Sequence, residues 1–191
     1  MWKFKRNIWR NSYLFANIKK ENEKEKNHKE KDLETIKNWI APGKEVKLDL
    51  IFKKSREGDT ADDFHKYCDN REKTLILIET KEGRKFGGFT YSEWNHSNQW
   101  KNNKNDLVFS LDLNKKYKNE GNSSTLGDKN NGPIFGWCLL SKDVDIVLWK
   151  SLNTGFSGNS ECFRTNYELN NNNKNFETKE LEVYQANPTE N

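Results

Sequence analysis

Thr74-Leu75-Ile76-Leu77-Ile78-Glu79-Thr80-Lys81-Glu82-Gly83-Arg84-Lys85-Phe86-Gly87-Gly88-Phe89-Thr90 is the stretch whose reading decides the fold. Thr74 to Thr80 is a short run of β-branched and large aliphatic residues, which predicts a buried strand. Lys81-Glu82-Gly83-Arg84 predicts a hairpin turn, with Gly83 supplying the positive φ that a tight turn requires, and Lys85 to Thr90 predicts the returning strand. Gly87-Gly88 inside that strand marks a bulge, or a place where another backbone or an aromatic ring comes close.

Working upstream, Asp59 and Thr60 are suited to cap a helix over Ala61 to Cys68, and its Ala61, Phe64, His65 and Cys68 share one inward face. Val46 to Lys53 alternates apolar and polar residues with the period of a half-buried strand. Glu21 to Ile40 lacks Gly and Pro and predicts a helix frayed at its start. Its stripe of Leu33, Ile36 and Ile40, with Trp39, is too short for a coiled coil and is expected to pack on the domain that follows Pro42-Gly43. Downstream, strands are expected at Leu107 to Leu113, Asp145 to Trp149 and Leu181 to Gln185. Asn114 to Asn131 and Ser151 to Ser160 predict surface loops, and Ile134 to Cys138 short turns of strand. Hairpin-scale connections, without a helix after every strand, exclude a parallel sheet and predict one mostly antiparallel α+β domain.

The composition fits that reading. Hydrophobic residues make up 32% of the 191-residue chain and mean hydropathy is −1.12, yet aromatics reach 13% with seven Trp. Disorder would not supply such a set, so a core built around aromatics is expected. The net charge of +4 arises from 33 basic against 29 acidic residues, too even a balance to call for nucleic acid as partner. Trp94, Trp100, Trp137 and Trp149 lack a dense basic track and read as core or loop anchors rather than base-stacking platforms. Residues 1–20 hold Lys3, Lys5, Arg6, Arg10, Lys19 and Lys20 without an acidic residue. They have some likeness to a mitochondrial transit peptide but are poor in Ser; a tail that docks on a partner through Trp2, Lys3, Lys5, Arg6, Trp9 and Arg10 is the preferred reading. No apolar run long enough for a membrane span is present.

Candidate chemistry is sparse. His65 and Cys68 could form a thiolate pair, but on the inward face of a short helix they read as core residues, and no third group orients the base. Cys68, Cys138 and Cys162 stand far apart, with neither a CxxC pair nor a His at zinc-site spacing, so free thiols are expected. Gly83, Gly87 and Gly88 match no nucleotide motif. Glu57, Asp59, Asp62, Asp63 and Asp69 do not follow calcium-loop spacing, and acids in a first helical turn follow from its dipole. No metal, cofactor or catalytic set is therefore expected.

Ser55-Arg56-Glu57-Gly58-Asp59, then Phe64-His65, Cys68-Asp69-Asn70, Thr74 to Ile78, Gly83 and Phe86-Gly87-Gly88-Phe89 together resemble the TLDc domain (TBC, LysM, domain catalytic) of eukaryotes. Trp94, Phe109-Ser110-Leu111, Gly132 to Gly136, Asp145-Ile146, Asn159 to Thr165 with Cys162, and Leu181-Glu182-Val183-Tyr184 follow in the family's order. The resemblance spans about Val46 to Gln185. Departures are a thinned glycine stretch before Asp145 and Tyr184 where the family usually has Trp. The preceding helix is similar to that of the variant in protist proteins.

This resemblance implies a two-sheet antiparallel β-sandwich flanked by short helices, with an N-terminal helix and no enzymatic role. Ser55, Gly58, Phe64, His65, Cys68, Asp69, Gly83, Phe86, Gly87, Gly88 and Glu182 are then signature residues with mainly structural duties. Expected divisions are residues 1–20 as tail, 21–43 as polar helix and linker, 44–187 as TLDc domain and 188–191 as a second tail. The implied function is binding of the vacuolar proton pump (V-ATPase) or protection against oxidative stress; free thiols and the lack of a secretory h-region separately lead to an expected cytoplasmic location. Alternatives are an accessory subunit of a mitochondrial or cytoskeletal complex, and a Cys/His-dependent redox or hydrolytic enzyme.

Overall fold

The computed structural model describes the backbone of residues 2–137 and 143–188 and the side chains of residues 14–137 and 143–187. Two compact units divide the chain, Met1–Lys44 and Glu45–Asn191. The first is a helix, α1 (Trp2–Ile40), which begins at Trp2 and not at Glu21. Nothing in residues 2–40 breaks a helix, and the Lys-rich start lacks only the acidic first turn that usually advertises one. Lys37 meets Glu34 at 2.7 Å one turn away, and the helix closes as Ala41 N–H donates to the Lys37 carbonyl at 3.0 Å.

The second unit is mainly antiparallel sheet. Its strands are β1 (Val46–Lys53), β2 (Thr74–Thr80), β3 (Lys85–Thr90), β4 (Trp100–Lys101), β5 (Leu107–Ser110) and β6 (Lys115–Lys118). They continue as β7 (Thr125–Leu126), β8 (Ile134–Phe135), β9 (Ile146–Leu148), β10 (Thr154–Ser157) and β11 (Asn175–Pro188). Hydrogen bonds trace one path, β4-β7-β8-β9-β10-β11-β2-β3-β5-β6, with β1 paired to β11. β11 is the hinge of this path: Asn175 to Glu177 pair with β10, Thr178 to Gln185 with β2, and the register slips between Thr178 and Glu180.

The path doubles back on itself. β8 lies five places from β3, which in a flat sheet would be about 24 Å. Yet a Cβ added to Gly88 of β3 would stand 2.7 Å from the Phe135 ring of β8. The missing side chain at Gly88 makes room for that ring. Gly83 has the different task of turning the hairpin, with φ +82.

Between the facing parts lies the aromatic core. Phe64 meets Phe52 and Trp94 edge-on with centroids 6.1 and 5.7 Å away, and Trp94 in turn meets Phe135 at 5.7 Å. All four rings are at most 1% exposed. Burial of each such ring contributes roughly 1.5–3 kcal/mol, with a further increment for edge-to-face geometry.

Two helices sit beside the sheet, α2 (Lys54–Glu57) and α3 (Ala61–Cys68). α3 starts at a capping box in which Asp63 N–H donates to Thr60 Oγ1 at 3.2 Å and Thr60 N–H to Asp63 Oδ2 at 3.1 Å. Both ends are tied to strand-bearing segments: Ala61 N–H donates to the Lys150 carbonyl at 2.8 Å, and Asn70 N–H to the Trp94 carbonyl at 2.9 Å. This second tie brings residues 94–96 to the end of α3.

Candidate functional site

His65 and Asp69 are four residues apart, and the helix end sets His65 Nδ1 2.7 Å from Asp69 Oδ1. The other ring nitrogen, Nε2, faces two backbone carbonyls, Asp128 at 2.9 Å and Asn131 at 3.0 Å. Carbonyls only accept, so Nε2 carries a proton. The loop offering them is fixed by its own side chains, since Asn131 Nδ2 donates to Asp128 Oδ2 at 2.7 Å and Asn130 N–H to Asp128 Oδ1 at 2.9 Å. His96, carried in by the Asp69–Trp94 bridge, places Nε2 3.0 Å from Asp69 Oδ2. The two imidazoles meet edge-on at 4.6 Å. Exposure is graded across the trio: the side chains of His65, Asp69 and His96 are 5%, 19% and 53% exposed.

One carboxylate thus bridges two histidines at a partly open site. The sequence reading did not contain this arrangement. Asp69 is the orienting group for His65 that it lacked, and His96 lies in a polar loop where no periodicity flags it.

Cys68 is placed elsewhere. It is fully buried in the aromatic core, and burial, reinforced by the nearby charge of Asp69, pushes its thiol far above the ordinary range. A nucleophilic cysteine needs the reverse, an accessible thiolate. Among the described residues the ligand-bearing side chains that converge are His65, Asp69 and His96, without Cys68. Cys162 is also free and buried, whereas Cys138 lies outside the described residues.

The family model of the TLDc domain matches residues 22–187, nearly the whole chain. The chain belongs to the TLDc family. TLDc domains are in general non-enzymatic modules for protein interaction or regulation. No curated protein matches the chain. No helix among the described residues is long and apolar enough to cross a membrane.

Other signature residues of this TLDc domain fall at separate points of the fold. Ser55 N–H donates to Glu180 Oε1 at 3.0 Å, and Phe86 packs edge-on against Phe176 at 5.1 Å. Glu182, 5% exposed, receives Lys53 Nζ at 3.1 Å and the Tyr184 hydroxyl at 2.6 Å. Burial raises the Tyr184 phenol, and its bond to Glu182 adds to the shift. Side chains of the proposed docking tail, Trp2, Lys3, Lys5, Arg6, Trp9 and Arg10, lie outside the described residues.

Asp145, matched to the family but not singled out as a site residue, sits in a sealed polar cluster. It accepts from Ser160 N–H at 3.1 Å and from the Ser160 hydroxyl, and Thr165 Oγ1 is 2.9 Å away. Burial pushes its carboxyl up to about 6. The hydrogen bonds from Ser160 and Thr165 act in the opposite sense, favouring the carboxylate, but do not outweigh burial. Of the tryptophans, Trp94 is core, Trp100 and Trp137 stack at 5.6 Å, and Trp149 is exposed.

Proposed function

We propose that this chain is a non-catalytic protein-binding module that binds the peripheral sector of the vacuolar proton pump or protects against oxidative stress. The observation that supports it best is the fate of the signature block. Phe64 and Cys68 are consumed by the core, and Gly83, Gly87 and Gly88 by a turn and close approaches, which leaves recognition to outer surfaces. The pump enters through the family resemblance alone. A pull-down of the tagged chain from native extract is expected to recover pump subunits, and recovery of none overturns this partner. This reading carries a cytoplasmic location.

A second reading, an accessory subunit of another large complex, is favoured by one feature of α1. Leu14, Phe15 and Ile18 are 58%, 70% and 44% exposed on the basic part of that helix. Exposed apolar residues on a cationic helix suit docking on a protein surface. Deleting residues 1–20 should then abolish association and shift location; unchanged association and location remove the reading.

A further inference from the structure

We infer that His65 Nδ1, the Asp69 carboxylate and His96 Nε2 form a binding site for a divalent first-row transition ion of the zinc type. Their donor atoms lie within 4.8 Å of one another. Two imidazoles and one carboxylate form a set that such ions prefer, whereas calcium calls for six to eight oxygens and magnesium for oxygen-rich octahedra.

The surroundings of His65 favour ligation more directly than the trio alone. In protein metal sites the histidine ring is held by a hydrogen bond from its second nitrogen to a carbonyl or carboxylate, which fixes tautomer and orientation. Here His65 Nε2–H is held by the Asp128 and Asn131 carbonyls at 2.9 and 3.0 Å. That arrangement leaves Nδ1 as the ring atom aimed at Asp69. The Asp69 oxygens are met by imidazoles, in contrast to Asp145, whose carboxyl is met by a backbone N–H and two hydroxyls. Each oxygen of the one carboxylate faces an imidazole nitrogen, which brings two nitrogen donors and a carboxylate together at one place.

The dimensions are close to those required. In a tetrahedral zinc site, bonds of roughly 2.0–2.1 Å separate neighbouring donors by about 3.3 Å. Nδ1 and Oδ1 are 2.7 Å apart and Nε2 and Oδ2 3.0 Å apart, so ligation needs a shift that opens these contacts by a few tenths of an ångström while gathering all three donors, now within 4.8 Å of one another, around one ion. His96 can provide it, being half exposed and in a segment outside any strand. The ion would sit between the carboxylate and the two imidazoles, with its remaining position open on the His96 side. Bound there, it would clip the residue-96 loop to the end of α3, a role separate from partner binding.

The test is calorimetric titration of the metal-free chain with zinc ion, together with thermal unfolding. The expected result is one zinc per chain, a raised Tm, no comparable response to magnesium, and loss of affinity by roughly tenfold or more in His96→Ala. His96 is exposed, so that variant should keep the wild-type circular dichroism; Asp69→Asn, which keeps the side chain's shape, should show the same loss. Cobalt substitution should give visible bands of a four- or five-coordinate nitrogen and oxygen site without thiolate charge transfer. Absence of zinc binding, binding equal in His96→Ala and wild type, or thiolate bands would each overturn the assignment.

Discussion

The two parts of the sheet are held together in different ways. β1, β2, β3 and β11 are six to fourteen residues long, and the apolar run Leu75 to Ile78 of β2 is buried throughout. β4, β7 and β8 are two residues each and β9 three. Such short strands cannot persist on propensity alone. They are fastened instead by buried carboxyls: Asp106 accepts from Tyr91 N–H at 2.8 Å, Thr90 Oγ1 at 3.0 Å and Ser124 Oγ at 2.6 Å, and Asp145 ties β9 to Ser160 and Thr165. One part is built by hydrophobic pattern and the other by polar side chains that reach across loops. The aromatic core joins them.

The largest expected effect comes from cutting that joint. Phe64→Ala removes the ring between Phe52 and Trp94 and should cost about 3–5 kcal/mol in urea unfolding. A loss below 1 kcal/mol would mean that the two parts do not share a core.

The polar part should carry a pH signature. Asp145 titrates near 3.8 when unfolded and at about 6 when folded. Below both values each state is protonated and the contribution to stability is at its full value. Between them the folded state retains a proton that the unfolded state has released, so stability falls as pH rises from about 4 to about 6, by at most about 3 kcal/mol. Asp145→Asn should flatten this part of the profile, and an unchanged slope would show that Asp145 is not its source.

A smaller effect tests the fold-over. Gly88→Ala places a methyl against the Phe135 ring and should cost about 1–3 kcal/mol. Thr60→Ala, which removes the α3 cap, should cost about 1 kcal/mol, read from the same unfolding curves.

The same contrast explains what the sequence made legible. Val46–Lys53, Ala61–Cys68, Thr74–Thr80 and Lys85–Thr90 stand where period and capping put them, because burial in that part follows the local pattern. β6, β7 and β10 fall inside Asn- and Ser-rich stretches that read as loops, since their pairing is imposed from outside. α1 starts earlier than the expected Glu21 because its first half forms helix without the acidic first turn that would mark its start. β11 runs from Asn175 to Pro188 although only Leu181 to Gln185 alternates clearly; its outer residues are fixed by β10 and β1. In the candidate site, His65 was visible as a helix-face residue. Its link to Asp69 is a matter of side-chain direction at a helix end, and its link to His96 crosses 31 residues of sequence through the Asp69–Trp94 bridge. Neither leaves a period to find.

The proposed division of labour gives the Ser55 to Phe89 block a scaffold role and leaves binding to outer surfaces. Its most direct test is a parallel pull-down from native extract with the wild-type chain and Cys68→Ser, both confirmed folded by circular dichroism. Recovery of the same pump subunits in equal amounts is the expected result. Loss of those partners in the folded Cys68→Ser chain, or their absence from the wild-type sample, would contradict it.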